Sequence, residues 1–211
     1  MKEQQQFKKK FCDLFYKERL LLRLTRENLA ANLLSPEGGI AIQRFPSNQV
    51  PAAIRAFLAT RIRRQALAQR LACADVNLFV AMDRLNQEPL GYYWSLTSSQ
   101  KAYFHDAFRI PIGTALVFNA YVVEGQRKKG VYSQLILSAH HFLLEEKGCS
   151  SVYTIVEKQN IPSLRANLKN NLQVEAQNCL IKFCGKNFFS IYRNGINKLY
   201  WVLIKPEWTI N

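Results

Sequence analysis

The stretch richest in chemistry runs Tyr121-Val-Val-Glu-Gly-Gln-Arg-Lys-Lys-Gly-Val-Tyr-Ser-Gln-Leu135. A β-branched run passes into a basic turn that holds Gly130, and the turn passes directly into an amphipathic helical pattern. Such a junction is suited to binding an anion. The first N–H groups of a helix have no partner within it and point at whatever sits ahead of it, and the helix dipole favours negative charge there. Gly130 lets the backbone approach a ligand closely, and Arg127, Lys128 and Lys129 add positive charge. The spacing G-x-x-x-x-G-K-[ST] of a nucleoside triphosphate loop is missing. A basic turn ahead of a helix is common without any ligand, so a second motif is needed for specificity.

The elements around this turn can be read from periodicity. Upstream, 78–82, the aromatic-rich 90–97 and 115–123 are strand-like. Downstream, 130–147 predicts a helix with Val131, Leu135, Ala139, Phe142 and Leu143 on its buried stripe and Gly148 as its C-cap. Residues 151–156 are a strand, so strand, helix and strand form a βαβ crossover with locally parallel strands on a mixed sheet. A short helix over 162–170 and late strands at 180–183, 188–192 and 199–204 follow. Nearer the N-terminus, 18–25 and 39–45 read as strands separated by a turn cluster at 35–39. Residues 49–74 predict one long helix whose Arg55, Arg61, Arg63, Arg64 and Arg70 form a solvated basic face. Residues 98–106 are a polar stretch. Phe7, Phe11, Leu14 and Phe15 recur at helical spacing among lysines, predicting a short basic helix within 1–18 that packs on its own domain or lies on a membrane or partner.

A second motif lies beyond the crossover: Asn160-Ile-Pro-Ser163-Leu-Arg-Ala-Asn-Leu-Lys169-Asn-Asn-Leu172. Together with Arg127-Lys-Lys-Gly130-Val-Tyr132 it resembles the GNAT superfamily of acyl-coenzyme A-dependent N-acyltransferases. The first segment is similar to that family's [RQ]-x-x-G-x-[GA] signature, and Val122-Val123-Glu124 resembles the end of its splayed strand. The second is similar to its N-x-x-[AS] motif and short helix. The two stand in the family's order, and the resemblance covers about residues 77–192. It implies an α/β (α+β) fold: a mixed, mostly antiparallel twisted sheet with a central parallel βαβ crossover and flanking helices. It also implies a single domain over 1–211, with 1–18 as a basic N-terminal extension.

The resemblance further implies acetyl-CoA or another acyl-CoA as co-substrate, no metal, and transfer of the acyl group to an amine by direct attack. Backbone amides of Arg127, Lys128, Lys129, Gly130, Val131 and Tyr132 would hold the pyrophosphate. Val122 and Val123 would present main-chain groups to the pantetheine arm, and one of their N–H groups would stabilise the thioester oxyanion. Asn160 would bond the pantetheine or acyl region, with Ser163 and Arg165 near the cofactor's far end. Three positions depart from the pattern. Asn167 stands where many members carry a tyrosine that protonates the leaving thiolate, Tyr132 where Gly or Ala is usual, and Asn171-Leu172 where a G-F pair is usual.

An attacking amine must lose a proton, so a base is needed. Glu124, Glu157 and His105 are candidates, and Tyr121 and Asn119, alternating along one strand, are expected to face the cleft. Each also reads as an ordinary surface or loop residue. His140 and His141 read as packed or solvated, and Tyr92, Tyr93 and Trp94 as a half-buried strand face rather than an acceptor pocket.

Composition frames these expectations. The chain has 211 residues, 48% of them hydrophobic, and a formal charge of +14, which describes a globular domain that attracts anions. Partners consistent with that field are a small-molecule amine acceptor, a nucleic acid such as an aminoacyl-tRNA, or an acidic acyl-carrier protein. A non-catalytic acyl-CoA-binding module is the alternative to an enzyme, and a homodimer is compatible. No helix-turn-helix, RRM, KH or zinc signature is present. Cys12, Cys73, Cys149, Cys179 and Cys184 are odd in number and contain no C-x-x-C pair, so neither a disulfide framework nor a zinc site is expected. No apolar run is long enough to span a bilayer, and a cytoplasmic protein is expected.

Overall fold

The structure, a computed structural model, describes residues 16–29, 39–100, 103–105, 108–183, 186–193 and 196–200. In chain order the elements are strands β1 (Tyr16–Thr25) and β2 (Ile40–Pro46), helices α1 (Ala52–Ala59) and α2 (Arg64–Ala72), and strands β3 (Val76–Asp83) and β4 (Pro89–Ser98). A short hairpin of β5 (Tyr103–His105) and β6 (Phe108–Ile110) leads to strand β7 (Thr114–Val122), helix α3 (Val131–His141), strand β8 (Ser151–Glu157) and helix α4 (Ile161–Lys169). Strands β9 (Gln173–Phe183), β10 (Lys186–Arg193) and β11 (Ile196–Tyr200) end the described chain. Nine strands form one sheet in the order β11-β10-β9-β1-β8-β7-β4-β3-β2. Every neighbouring pair in it is antiparallel except β7 and β8, which the α3 crossover makes parallel.

Both faces of the middle of the sheet are covered, so β3 and β4 are buried almost end to end. Alternate side chains go to opposite layers. Leu78, Val80, Met82, Tyr92 and Trp94 pack with Ile54, Leu58, Ile62 and Leu67 of the α1/α2 layer. Phe79, Ala81, Tyr93, Ala115 and Val117 pack with Val131, Leu135, Ile136 and Ala139 of α3.

The strands near the turn and the parallel crossover lie where periodicity puts them, and several other expectations change. The single helix over 49–74 is two helices. The chain turns at 60–63, where the Thr60 hydroxyl and the Arg61 guanidinium both donate to the Phe57 carbonyl that the ending helix leaves free. No Gly or Pro marks this break. Arg70 does not belong to a solvated face: it is 2% exposed. The strand expected from 180 begins at Gln173, because polar residues of β9 pair along β1. The stretch 98–106 leads into the β5–β6 hairpin. Tyr16 and Lys17, placed in the N-terminal extension, are the start of β1. The rest of the proposed N-terminal helix, most of the 35–39 turn and the end of the 199–204 strand lie outside the described residues.

Two features prepare the site. The parallel ladder covers only Ala115↔Val152, Leu116↔Tyr153 and Val117↔Thr154. Beyond it β7 stays with β4 as far as Val122, and β8 stays with β1 as far as Glu157, so the two strands part in a wedge. At the start of the wedge β7 carries a bulge. Trp94 opposes Phe118 and Tyr92 opposes Tyr121, which leaves Tyr93 facing both Asn119 and Ala120. Asn119 takes the left-handed φ of 48° that lets the bulge bend the strand. Among the described residues no helix is long and apolar enough to cross a membrane, and no three His, Cys, Asp or Glu side chains are grouped to hold a metal ion.

Candidate active site

Helices α3 and α4 follow the two parallel strands, so both begin beside the mouth of the wedge, at the carboxyl ends of β7 and β8. Crevices of this kind are where open α/β sheets bind ligands. Gly130 is the N-cap of α3 at φ 79°, and no side chain caps the helix. The first helical bond runs from Gln134 N to Gly130 O at 3.0 Å. The amides of Gly130, Val131, Tyr132 and Ser133 therefore lack acceptors among the described residues. A Cβ added to Gly130 would meet no atom within 4 Å, so the space before the helix is open. Arg127, Lys128 and Lys129 are exposed around it. Arg127 Nε donates to Val122 O at 3.4 Å and Lys129 Nζ to Gln126 Oε1 at 3.3 Å. None of the three pairs with a carboxylate among the described residues. Open space, unpaired amides and exposed cations without a carboxylate partner among the described residues together suit a phosphate-bearing anion.

Val122 and Val123, treated alike in the sequence, differ here. The Val123 N–H donates to Leu90 O at 2.9 Å and is consumed by β4. Successive N–H groups along a strand point to opposite edges, so the Val122 N–H points into the wedge, where the parallel ladder has ended. Gly91 stands opposite Val122. A Cβ there would lie 2.6 Å from Tyr121 O, so only glycine allows β4 to come this close to the end of β7.

Asn160 caps α4, its Oδ1 accepting from Ser163 N at 3.3 Å. One turn further in, Asn167 is 1% exposed. Its Nδ2 donates to Ser163 O at 2.8 Å and approaches Ser163 Oγ and Tyr132 Oη, each at 3.4 Å. Tyr132 Oη is also 3.4 Å from Ser163 Oγ. Tyr132, on the first turn of α3, thus brings its phenol oxygen beside Asn167, the position where the family pattern carries a tyrosine. Sequence reasoning placed only the Tyr132 backbone here. The signal lay in two departures from the pattern, Tyr132 and Asn167, that lie side by side in the structure. Arg165 is exposed on the same helix.

Asn119, Tyr121 and Glu124, the residues expected to be catalytic, lie in different surroundings. The bulge breaks the alternation of Asn119 and Tyr121. Asn119 is exposed, whereas Tyr121 lies over the α1/α2 layer, its ring stacked on Tyr92 at 5.7 Å between centroids. Glu124 is exposed in the one-turn helix Glu124–Gln126 that leaves β7. Glu157 is exposed at the end of β8. His105 lies in β5, and its side chain is outside the described residues. Tyr92, Tyr93 and Trp94 are buried and not a half-buried face, because helices cover both sides of β4. Burial holds the Tyr93 phenol well above the usual tyrosine range. His140 is fully buried on α3 beside Tyr93, neither ring nitrogen has a partner, and burial alone lowers its pKa to about 3. It is packed and neutral, and His141 is half-buried.

No protein-family model matches the sequence, and no curated protein matches it. Solved structures do. A tandem GNAT protein from the clavulanic acid biosynthesis pathway is 15% identical, with TM-score 0.56 over 75% of this chain and 50% of its own. A GCN5-related N-acetyltransferase from Kribbella flavida is 12% identical, with TM-score 0.53 over 80% of this chain and 60% of its own. A Drosophila protein is 11% identical, with TM-score 0.57 over 81% of this chain and 52% of its own. The chain therefore spans only 50–60% of the length of these structures. Identities this low speak for architecture alone, and the architecture agrees with the sheet order, the single parallel pair and the wedge: the chain has the fold of the GNAT superfamily.

Proposed function

We propose that the chain is an acyl-CoA-dependent N-acyltransferase that passes an acyl group, acetyl in the simplest case, directly to an amine. The observation that carries this reading is the uncapped α3 N-terminus, with Gly130 open before it and Arg127, Lys128 and Lys129 exposed around it, at the mouth of a wedge between parallel strands. Acyl-CoA would supply the thioester: the amine nitrogen would form the new C–N bond at its carbonyl carbon as the C–S bond breaks and coenzyme A leaves as the thiol. The amides of Gly130, Val131 and Tyr132 hold the pyrophosphate, with the three cations reinforcing them. The Val122 N–H, pointing into the wedge, would stabilise the charge that develops on the thioester oxygen during attack, a fixed dipole that needs no rearrangement.

Tyr132 Oη protonates the departing sulfur. Asn167 Nδ2 and Ser163 Oγ hold that oxygen in place, and the amide donating to it supports the phenolate left behind. Asn160 presets α4, so that Ser163 and Asn167 are aligned. Glu124 receives the amine proton, directly or through water, from its exposed position just past the strand. The likeness to a tandem GNAT protein and an N-acetyltransferase supports this class of chemistry. Titration calorimetry with coenzyme A, followed by thiol release from acetyl-CoA over a panel of amines, tests it. Binding with turnover supports an enzyme, binding without turnover on any amine leaves a cofactor-binding module, and no binding rejects the reading.

A further inference from the structure

Between Glu37 and Asp75 the chain carries Arg44, Arg55, Arg61, Arg63, Arg64 and Arg70 and neither a lysine nor a carboxylate. Four of these arginines stand exposed on the α1/α2 layer: Arg55 on α1, Arg61 and Arg63 in the turn, and Arg64 at the start of α2. Every other exposed residue from Ala52 to Ala72 is alanine, glutamine or threonine. None of the four pairs with a carboxylate among the described residues. Soluble surfaces ordinarily intersperse both signs of charge. Here one sign stands alone above a floor of short side chains, a surface that draws an extended anion and lets it lie close.

Two of the arginines are held in place before any ligand arrives. Arg55 Nε donates to Val50 O at 2.7 Å. Arg61 Nη1 donates to Phe57 O at 2.8 Å, and its guanidinium carbon lies 3.9 Å from the Phe57 ring centroid and 5.1 Å from that of Tyr121. Fixing the side chains in advance lowers the ordering cost of binding. Tyr121 immediately precedes Val122, so the basic layer borders the end of β7 on the face of the sheet opposite α3.

The composition of the face selects among anionic partners. A protein interface has an apolar core in which alanine is depleted. The exposed large hydrophobic residues Leu85, Ile112, Ile161, Leu168 and Val174 all lie away from this layer. Arginine, the only cation on it, matches phosphate with two parallel N–H groups. Helices α1 and α2 are short and keep Ile54, Leu58, Ile62 and Leu67 on the sheet, so neither projects far enough to enter a major groove of DNA. RNA is bound instead through its backbone and shape, and its unpaired bases stack on arginine planes such as that of Arg61.

We propose that the α1/α2 layer is an RNA-docking face, with Arg55, Arg63 and Arg64 on the phosphodiester backbone and Arg61 as a platform for an unpaired base. RNA on this face and coenzyme A at the α3 N-terminus occupy opposite sides of the sheet and are held at the same time. The inference stands apart from the acyltransferase reading, and its test does not need turnover.

Fluorescence anisotropy on the full chain decides it, with a labelled RNA hairpin that carries a single-stranded tail and with DNA of the same sequence. The expected result is RNA binding with a Kd below about 10 μM at ~0.15 M salt, tighter than the DNA and unchanged by saturating coenzyme A. The triple variant Arg55→Gln/Arg63→Gln/Arg64→Gln should bind the RNA at least about 10-fold more weakly, with a slope of log K on log salt shallower by about 2–3. Arg127→Gln/Lys128→Gln/Lys129→Gln, which removes the same charge from the opposite face, should leave both quantities within about twofold of wild type. Equal losses in the two triples would reduce the effect to net charge and overturn the face. Absence of RNA binding, or displacement of the RNA by coenzyme A, overturns it as well. DNA bound as tightly as RNA, or RNA displaced by polyglutamate at equal charge concentration, overturns RNA as the partner. The substituted arginines are exposed, so urea midpoints should match wild type; should the triple fail to fold, Arg63→Gln/Arg64→Gln gives the same comparison with a slope change of about 1–2.

Discussion

Gly130 and Gly113 offer a matched pair for testing the anion site. Both are exposed glycines at left-handed φ, 79° and 77°, and neither has an atom within 4 Å of an added Cβ. Gly130 stands before α3, and Gly113 stands before the opposite end of β7. Replacing either with glutamate imposes the same backbone strain, about 1–2 kcal/mol for a side chain in the left-handed region. Only Gly130→Glu adds a negative charge where the cofactor diphosphate is expected. At ~5 Å, with an effective dielectric of ~20–80, each unit of repulsion is about 1–3 kcal/mol, so two phosphate charges lose at least about 2 kcal/mol. Affinity for coenzyme A should therefore fall at least about 30-fold, before any steric effect. Calorimetric titration of the wild type and both variants, with urea midpoints measured alongside, is the assay. The expected pattern is a similar loss of stability in both variants and loss of affinity in Gly130→Glu alone. Equal coenzyme A affinity in all three proteins would refute the placement of the pyrophosphate.

Further predictions follow from the same geometry. Tyr132→Phe should lower kcat about 100-fold, within the usual range for a general acid, while coenzyme A affinity stays near wild type; unchanged kcat with a good thiol leaving group and with acetyl-CoA alike would place the proton donor elsewhere. Gly91→Ala sets a Cβ 2.6 Å from Tyr121 O and should cost about 1–3 kcal/mol of stability together with most of the turnover, read from urea midpoints and initial rates. His140, neutral in the fold with its pKa lowered to about 3 by burial, titrates near 6.5 once unfolded. Below that value the unfolded chain takes up a proton that the folded chain refuses. The stabilisation is thus complete above pH 6.5 and is lost as pH falls towards 3, by roughly 1 kcal/mol per pH unit. Urea midpoints between pH 7 and 4 should show that slope, and His140→Leu should flatten it.

The strand-to-helix junction proposed as the anion site was legible in the sequence because its signals are local. A β-branched strand, a basic turn with Gly130 and a helix of period 3.6 sit side by side, and the second motif repeats the strand-to-helix junction at Asn160. What depended on pairing between distant segments was not legible. The bulge at Asn119 is fixed by the register with β4, and it separates Tyr121 from Asn119 although their spacing predicts a shared face. The different fates of the Val122 and Val123 amides follow from which edge β4 occupies. Tyr132 and Asn167 meet across 35 positions of chain, and only the packing of α3 on α4 joins them. Arg70 reads as one of a row of arginines on a solvated helix face, and only packing against Trp94 and Phe118 of distant strands buries it.

The central claim is that a diphosphate-bearing thioester docks where β7 hands over to α3. A crystal structure of the chain grown with coenzyme A tests this most directly. The account predicts phosphate oxygens within hydrogen-bonding distance of the Gly130, Val131 and Tyr132 amides, with the pantetheine arm running into the wedge past Val122. Coenzyme A bound at another surface, with this turn empty, would contradict it.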